Sequence, residues 1–291
     1  MKVLSCFDGM SCGQIALNKA SIDYGAYYAS ELDKYAIQVT QANYPNTVQL
    51  GDIRSVDPLA LPKIDLLIGG SPCQGFSFAG KQLNFEDPRS KLFFDFVRLK
   101  ETLKPKYFLL ENVRMSKESQ DIISKHLDCE PVAINSALVS AQSRHRLYWT
   151  NIPFTMPKDK GIVLGDILEN EVHSKYFAGK KLQDNYAGGN QLNPKYKSQA
   201  NTIHCSKEKF GTLCAGTHGY ANGHVINPVS FNPTNKIRKL TPLECERLQT
   251  VPEGYTNHVS NTQRYKMLGN GWTVDVIATI LEGINKCNSS D

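Results

Sequence analysis

The sequence predicts an α/β protein with a doubly wound, mostly parallel sheet and a small inserted lobe. Three observations lead there. Up to about residue 152, short and nearly continuous apolar runs alternate with helical stretches, as expected of strands buried on both faces. From residue 153, Lys, Asn, Gly, Gln, Ser and Thr dominate, and turn pairs such as Gly188-Gly189 and Asn222-Gly223 recur. Regular helical signals return at Thr241.

Taken in order, residues 2–7 read as a strand because Val3-Leu4-Ser5-Cys6-Phe7 is apolar and unbroken. A helix over 13–20, a strand over 27–31 and a helix over 33–44 follow. Residues 48–53, 65–70 and 107–113 are further apolar strands, and 91–103 carries a strong helical periodicity. Residues 131–139 and 146–152 complete the strand series. Thr241-Pro242-Leu243-Glu244 offers an N-cap, a proline at the first helical position and a glutamate at the third. Residues 274–284 are apolar enough to pack on the sheet. The expected division is 1–154 as one body, 155–235 as the insertion, and 236–291 as a return to that body.

The chain has 291 residues, 41% hydrophobic and 21% charged, which supports a packed core and excludes wholesale disorder. Its net charge of +5 is unevenly placed. Residues 151–240 hold 12 Lys+Arg and 6 Asp+Glu, a net of +6. The other 201 residues hold 21 and 22, a net of −1. The whole basic excess therefore lies in one internal stretch, which suits a polyanion. The eight cysteines include no CxxC pair, no apolar run approaches a membrane span, and no signal peptide precedes the first apolar run, which already reads as a strand. These features predict a cytoplasmic protein with reduced thiols, no membrane association and no metal site.

The chemistry-bearing residues sit at strand ends. The first strand runs into Phe7-Asp8-Gly9-Met10-Ser11-Cys12-Gly13, where glycines let backbone approach a ligand. Glu31 ends the second strand, placed to accept from ribose hydroxyls, and Asp52 ends the third, placed to accept from an adenine amino group. The fourth strand delivers Ser71-Pro72-Cys73-Gln74, a cysteine in a Gly-rich turn suited to nucleophilic attack. Glu111 ends the fifth strand. In Gln142-Ser143-Arg144-His145-Arg146, alternation would send both arginines to one side, where they need an anionic or carbonyl partner.

Phe-Asp-Gly-x-x-x-Gly, Ser-Pro-Cys-Gln, Glu-Asn-Val, Gln-x-Arg-x-Arg, Arg238-Lys239-Leu240-Thr241-Pro242-Leu243-Glu244-Cys245 and Gly269-Asn270-Gly271 stand in the order of the cytosine-5 DNA methyltransferases. The chain resembles that family everywhere except about 155–235, where the family places its variable target-recognition region. The first loop lacks an aromatic-Gly-x-Gly-Gly form, and the last motif reads Gly-Asn-Gly-Trp-Thr-Val. Both look more like the de novo branch of the animal enzymes.

The resemblance implies a class I, Rossmann-like, S-adenosylmethionine-dependent methyltransferase that modifies carbon 5 of a flipped-out cytosine in a short site in double-stranded DNA. It implies that Cys73 is the nucleophile, that Glu111 holds ring nitrogen 3 and the exocyclic amine, and that Arg146 binds the base carbonyl with Arg144 in support. It assigns the cofactor to Phe7, Asp8, Gly9, Glu31, Asp52, Ile53, Asn270, Trp272 and Thr273. Residues 74–87 would form a lid over the base. The family's roles leave a cognate restriction endonuclease open as a partner, with the enzyme a monomer or weak oligomer, at the nucleoid if bacterial. A related tRNA cytosine-5 methyltransferase is the main alternative, but Gln249-Thr250-Val251 stands where that branch carries Cys-Phe-Thr. A non-catalytic DNA-binding regulator would have no use for Cys73, Glu111 and the arginines together. A dehydrogenase would require GxGxxG in the first loop.

Overall fold

The computed structural model describes residues 1–71, 91–180, 183, 190–192, 198–216, 219–226 and 237–288. Cys73 and the expected lid over 74–87 lie outside the described residues. The chain divides into two compact units. The first comprises Met1–Asn135, His145–Met156 and Val276–Asp291; the second comprises Ser136–Arg144 and Pro157–Asp275.

The first unit is built on β1 (Lys2–Cys6), β2 (Ala26–Ser30), β3 (Val48–Gln49), β4 (Leu66–Gly70), β5 (Tyr107–Val113), β6 (Val132–Asn135) and β7 (His145–Thr150). Their order in the sheet is β3-β2-β1-β4-β5-β7-β6. The pairings from β3 across to β5 are parallel, whereas β7 runs antiparallel to both β5 and β6. Strand order reverses between β1 and β4, so ligands belong at the carboxyl ends of the strands there. The connections carry α1 (Cys12–Lys19), α2 (Lys34–Asn43), α3 (Lys91–Leu103) and α4 (Lys117–Leu127). Leu4, Leu67, Phe93, Phe96, Leu110 and Trp149 form the centre of one core cluster.

Two strands end early. β3 stops because Gly51 turns the chain at φ 71°, and Asp52 then caps a 3-10 turn over Ile53–Ser55. β6 gives way to a 3-10 turn over Ser136–Leu138. α4 starts at Ser116, whose hydroxyl accepts from Ser119 N, and buries Ile123 and Leu127.

The second unit carries a three-stranded sheet of β8 (Ile203–His204), β9 (His224–Ile226) and β10 (Ile237–Arg238). α5 (Pro242–Leu248) and α6 (Asn261–Asn270) follow, then α7 (Val274–Asn288) begins. Compactness groups 237–275 with this unit, whereas the sequence division falls at residue 235. The reason is a polar core. Arg238 and Glu244 are fully buried in a two-pronged pair at 2.8 and 2.7 Å. Glu244 also accepts from Glu169 N and Thr241 N, joining both sides of that division. Among the described residues no helix is long and apolar enough to cross a membrane.

Candidate active site

The first loop is built from alternating backbone conformations. Phe7, Gly9 and Ser11 take φ of 58°, 60° and 60°, three left-handed residues within five. This geometry is routine for glycine and costs energy for Phe7 and Ser11, so the surroundings must hold it. Phe7 packs its half-buried ring against the core. Asp8 turns its buried carboxylate into the protein, accepting from Tyr27 OH at 2.7 Å and Ser11 Oγ at 2.5 Å. Burial pushes the Asp8 carboxyl from 3.8 up to about 6, against the lowering effect of those hydrogen bonds. Asp8 N donates to Ser30 O at 3.1 Å and Asp8 O accepts from Ser11 N at 3.2 Å, so Asp8 shapes the loop from behind.

Gly9 N donates to Glu31 Oε2 at 2.7 Å, while Glu31 Oε1 accepts from Leu32 N and Asp33 N, each at 2.7 Å. A carboxylate accepts about four hydrogen bonds, so Glu31 retains capacity for a hydroxyl donor. A side chain added at Gly9 would meet nothing within 4 Å, so open space lies beside this loop. Asp52 accepts from Arg54 N at 3.0 Å and is ion-paired to the Arg54 guanidinium, which holds its carboxyl below the usual range. Ile53 is buried, and its carbonyl accepts from Arg98 Nη2 at 2.9 Å. Asp52 does not end β3, as the sequence suggested, but caps the 3-10 turn beyond it. With Glu31 just after β2 and the open, glycine-containing loop, it fits a nucleoside with free ribose hydroxyls.

At the other candidate position, β5 and β7 place Glu111 and Arg146 on one face. Register sets Arg146 opposite Val113, making Glu111 its diagonal neighbour. Arg146 Nε lies 3.0 Å from Glu111 Oε1, with both side chains only 14% and 11% exposed. Arg146 Nη1 donates to His145 O at 2.8 Å, fixing the guanidinium further. Asn112, pointing the other way along β5, donates from Nδ2 to Ser71 Oγ at 2.9 Å. The start of Ser71-Pro72-Cys73 is therefore tied to the Glu111 strand.

Arg144 does not share this face. β7 begins at His145, so strand alternation does not extend to Arg144. In the second unit its guanidinium donates to Leu213 O at 3.0 Å, Gly269 O at 3.2 Å and Gly271 O at 3.0 Å. The two arginines thus find the two kinds of partner their burial demands, a carboxylate for one and carbonyls for the other.

The same turn is held by Gln249, which donates to Leu268 O at 2.6 Å and Gly271 O at 3.0 Å. Gln249 Oε1 accepts from Thr273 Oγ1 and Gln142 Nε2, both at 2.8 Å. Thr273 is buried within this network, Trp272 is half-buried and Asn270 is exposed. Gln142 and Gln249 were not expected as site residues, although Gln142 heads the Gln-x-Arg-x-Arg run. A lone glutamine carries no periodic or charge signal, and only its folded neighbours reveal the role.

The family model for C-5 cytosine-specific DNA methylase matches residues 1–286. The type II methyltransferase M.NlaX of Neisseria lactamica is 31% identical over 97% of this chain and 95% of its own length. The type II methyltransferase M1.ScrFI of Lactococcus lactis subsp. cremoris is 32% identical over 97% of this chain and 77% of its own. Among solved structures, the Entamoeba histolytica methyltransferase EhMeth shares the fold with TM-score 0.79 at 17% identity, covering 99% of this chain and 98% of that one. The chain belongs to the C-5 cytosine-specific DNA methylase family.

Proposed function

We propose that Cys73, Glu111 and Arg146 form the reacting group of this enzyme, which transfers a methyl group from S-adenosylmethionine to carbon 5 of cytosine in DNA. The observation that supports them is the fixed Glu111–Arg146 pair at 3.0 Å, with Ser71 tied to the same strand by Asn112. Carbon 5 of cytosine is too weak a nucleophile to take a methyl group unaided. The Cys73 thiolate adds to carbon 6, and the ring electrons displaced become available at carbon 5. The Glu111 carboxyl holds the exocyclic amine and holds or protonates ring nitrogen 3, offsetting the negative charge that develops there on addition. Arg146 binds the base carbonyl while keeping Glu111 in place. The cofactor supplies an electrophilic methyl group on a sulfonium. A base then removes the carbon-5 proton, and the electrons returning to the ring expel the Cys73 thiolate.

Glu31 and Asp52 would hold the ribose and adenine, with Phe7, the Asp8–Gly9 backbone and Ile53 forming the floor. Asn270, Trp272 and Thr273 would meet the rest of the cofactor, kept in position by Arg144 and Gln249. The target base must leave the duplex to be reached, with residues 74–87 as its lid. Residues 155–235 grip and read the DNA, which their basic excess supports. The enzyme acts in the cytoplasm, at the nucleoid if bacterial, as a monomer or weak oligomer, alone or beside a cognate restriction endonuclease.

Replacing Cys73 with Ser should abolish methylation, read by bisulfite sequencing of DNA from expressing cells, while leaving S-adenosylmethionine affinity within about twofold. DNA carrying 5-fluorocytosine at the methylated position should trap a covalent complex, because fluorine cannot leave as the proton does. A Cys73→Ser variant that still methylates would refute the mechanism.

A further inference from the structure

Away from these residues, the second unit holds a small basic and aromatic cluster that no step above uses. Residues 176–178 run antiparallel to β10: Ala178 N donates to Ile237 O, Lys239 N donates to Tyr176 O, and Phe177 bridges Arg238. This ladder sets Lys239 directly across from Tyr176. Lys175 Nζ lies 5.2 Å from the Tyr176 ring centroid, and Lys239 Nζ lies 5.7 Å from it. Lys239 Nζ is also 5.7 Å from the ring of Tyr265. Two ammonium groups therefore share one aromatic ring.

The arrangement is held rigidly. Asn261 Nδ2 donates to Tyr176 OH at 3.1 Å, and Tyr265 OH donates to Leu240 O at 2.6 Å. Gly219, at φ 76°, leaves room that any side chain would take: its Cβ would lie 2.9 Å from Tyr265 Cζ and 3.2 Å from Lys239 Cδ. Burial and the neighbouring Lys175 charge both push the Lys239 ammonium below its ordinary range. Two ammonium groups at one fixed ring attract an anion placed beside them. Lys175 is exposed and Tyr176 half-exposed, so such an anion has access.

We infer that Lys175, Tyr176 and Lys239 form a clamp for a DNA backbone phosphate, with the two ammonium groups on its oxygens and the Tyr176 ring against the adjoining sugar. This deepens the reading of residues 155–235 as the DNA-gripping part, adding Lys239 to it, and rests on that reading. A clamp of this kind contributes affinity without sequence preference.

The test is fluorescence anisotropy of a labelled duplex across a sodium chloride series, using full-length enzyme with S-adenosylhomocysteine present. Each of Lys175→Gln and Lys239→Gln should lower the slope of log affinity against log salt by about 0.9 and weaken binding several-fold, equally for different duplex sequences. Lys175→Arg should restore the wild-type slope. Lys175 is exposed, so Lys175→Gln keeps the question decidable even if Lys239→Gln folds poorly. Duplex binding with an unchanged slope in Lys175→Gln overturns the clamp alone. Failure of the wild-type enzyme to bind or methylate duplex DNA overturns it together with the proposed function.

Discussion

At the residue scale, burial decides what each charged group can do. Arg238 and Glu244 are both fully buried and spend their charge on each other and on nearby backbone. Removing one partner strands the other. Glu244→Ala should cost about 3–5 kcal/mol in urea unfolding, whereas substituting both residues with apolar side chains of similar volume should cost much less. Glu111 and Arg146 make a similar contact but keep 11% and 14% of their side-chain surface exposed. In the proposed function, that residual access lets them exchange one another for a substrate. Arg144 looks identical in the sequence, two residues away, yet its three carbonyl partners come from residues 213, 269 and 271. No spacing rule within Gln-x-Arg-x-Arg could distinguish the two arginines, because the difference is made by chain more than 60 residues away.

At the element scale, the last motif works as a tight joint. A Cβ at Gly269 would lie 2.3 Å from the carbonyl carbon and oxygen of Cys214, both backbone atoms that cannot swing aside. Gly269→Ala should therefore displace the turn carrying Asn270 and Trp272, lowering stability by about 1–3 kcal/mol and weakening S-adenosylmethionine binding in a calorimetric titration. Strands β1, β4 and β5 were legible in the sequence because they are buried on both faces and read as nearly unbroken apolar runs. Helix α6 was not. Asn-Thr-Gln-Arg-Tyr-Lys carries almost no apolar stripe, and the helix's buried residues, Tyr265, Met267, Leu268 and Gly269, all follow its first turn. α4 has a capping serine and an apolar stripe, but its lysines and glutamate obscured them. β3 was read too long because Gly51 reverses the backbone before Asp52.

At the scale of the whole molecule, the two units should respond to acid in opposite senses. Burial lowers the His204 pKa from 6.5 to about 4, and its Nε2 has no hydrogen-bond partner among the described residues. The unfolded chain takes up that proton first, so His204 removes stability progressively as pH falls from about 6.5 towards 4. Asp8 carries the reverse sign. Its pKa is raised from 3.8 to about 6, so its contribution is full at low pH and is lost as pH rises through 6. The chain has two tryptophans, Trp149 in the first unit and Trp272 in the second. Melting followed by fluorescence of Trp149→Phe and Trp272→Phe variants should therefore show the Trp272 signal losing more stability between pH 7 and 5 than the Trp149 signal. Introducing His204→Phe should reduce that difference. Equal shifts of both signals would count against it.

The sheet's outermost strands have one further consequence. β3 is two residues long and β6 four, so the rows of unpaired amides and carbonyls at the margins are brief. A growing amyloid-like ribbon needs a longer template than either margin supplies, even though Val48 and Val132 are exposed there. A second copy therefore gains little by stitching its backbone onto this sheet, and crowding many copies along one DNA molecule need not turn folded chains into seeds for aggregation.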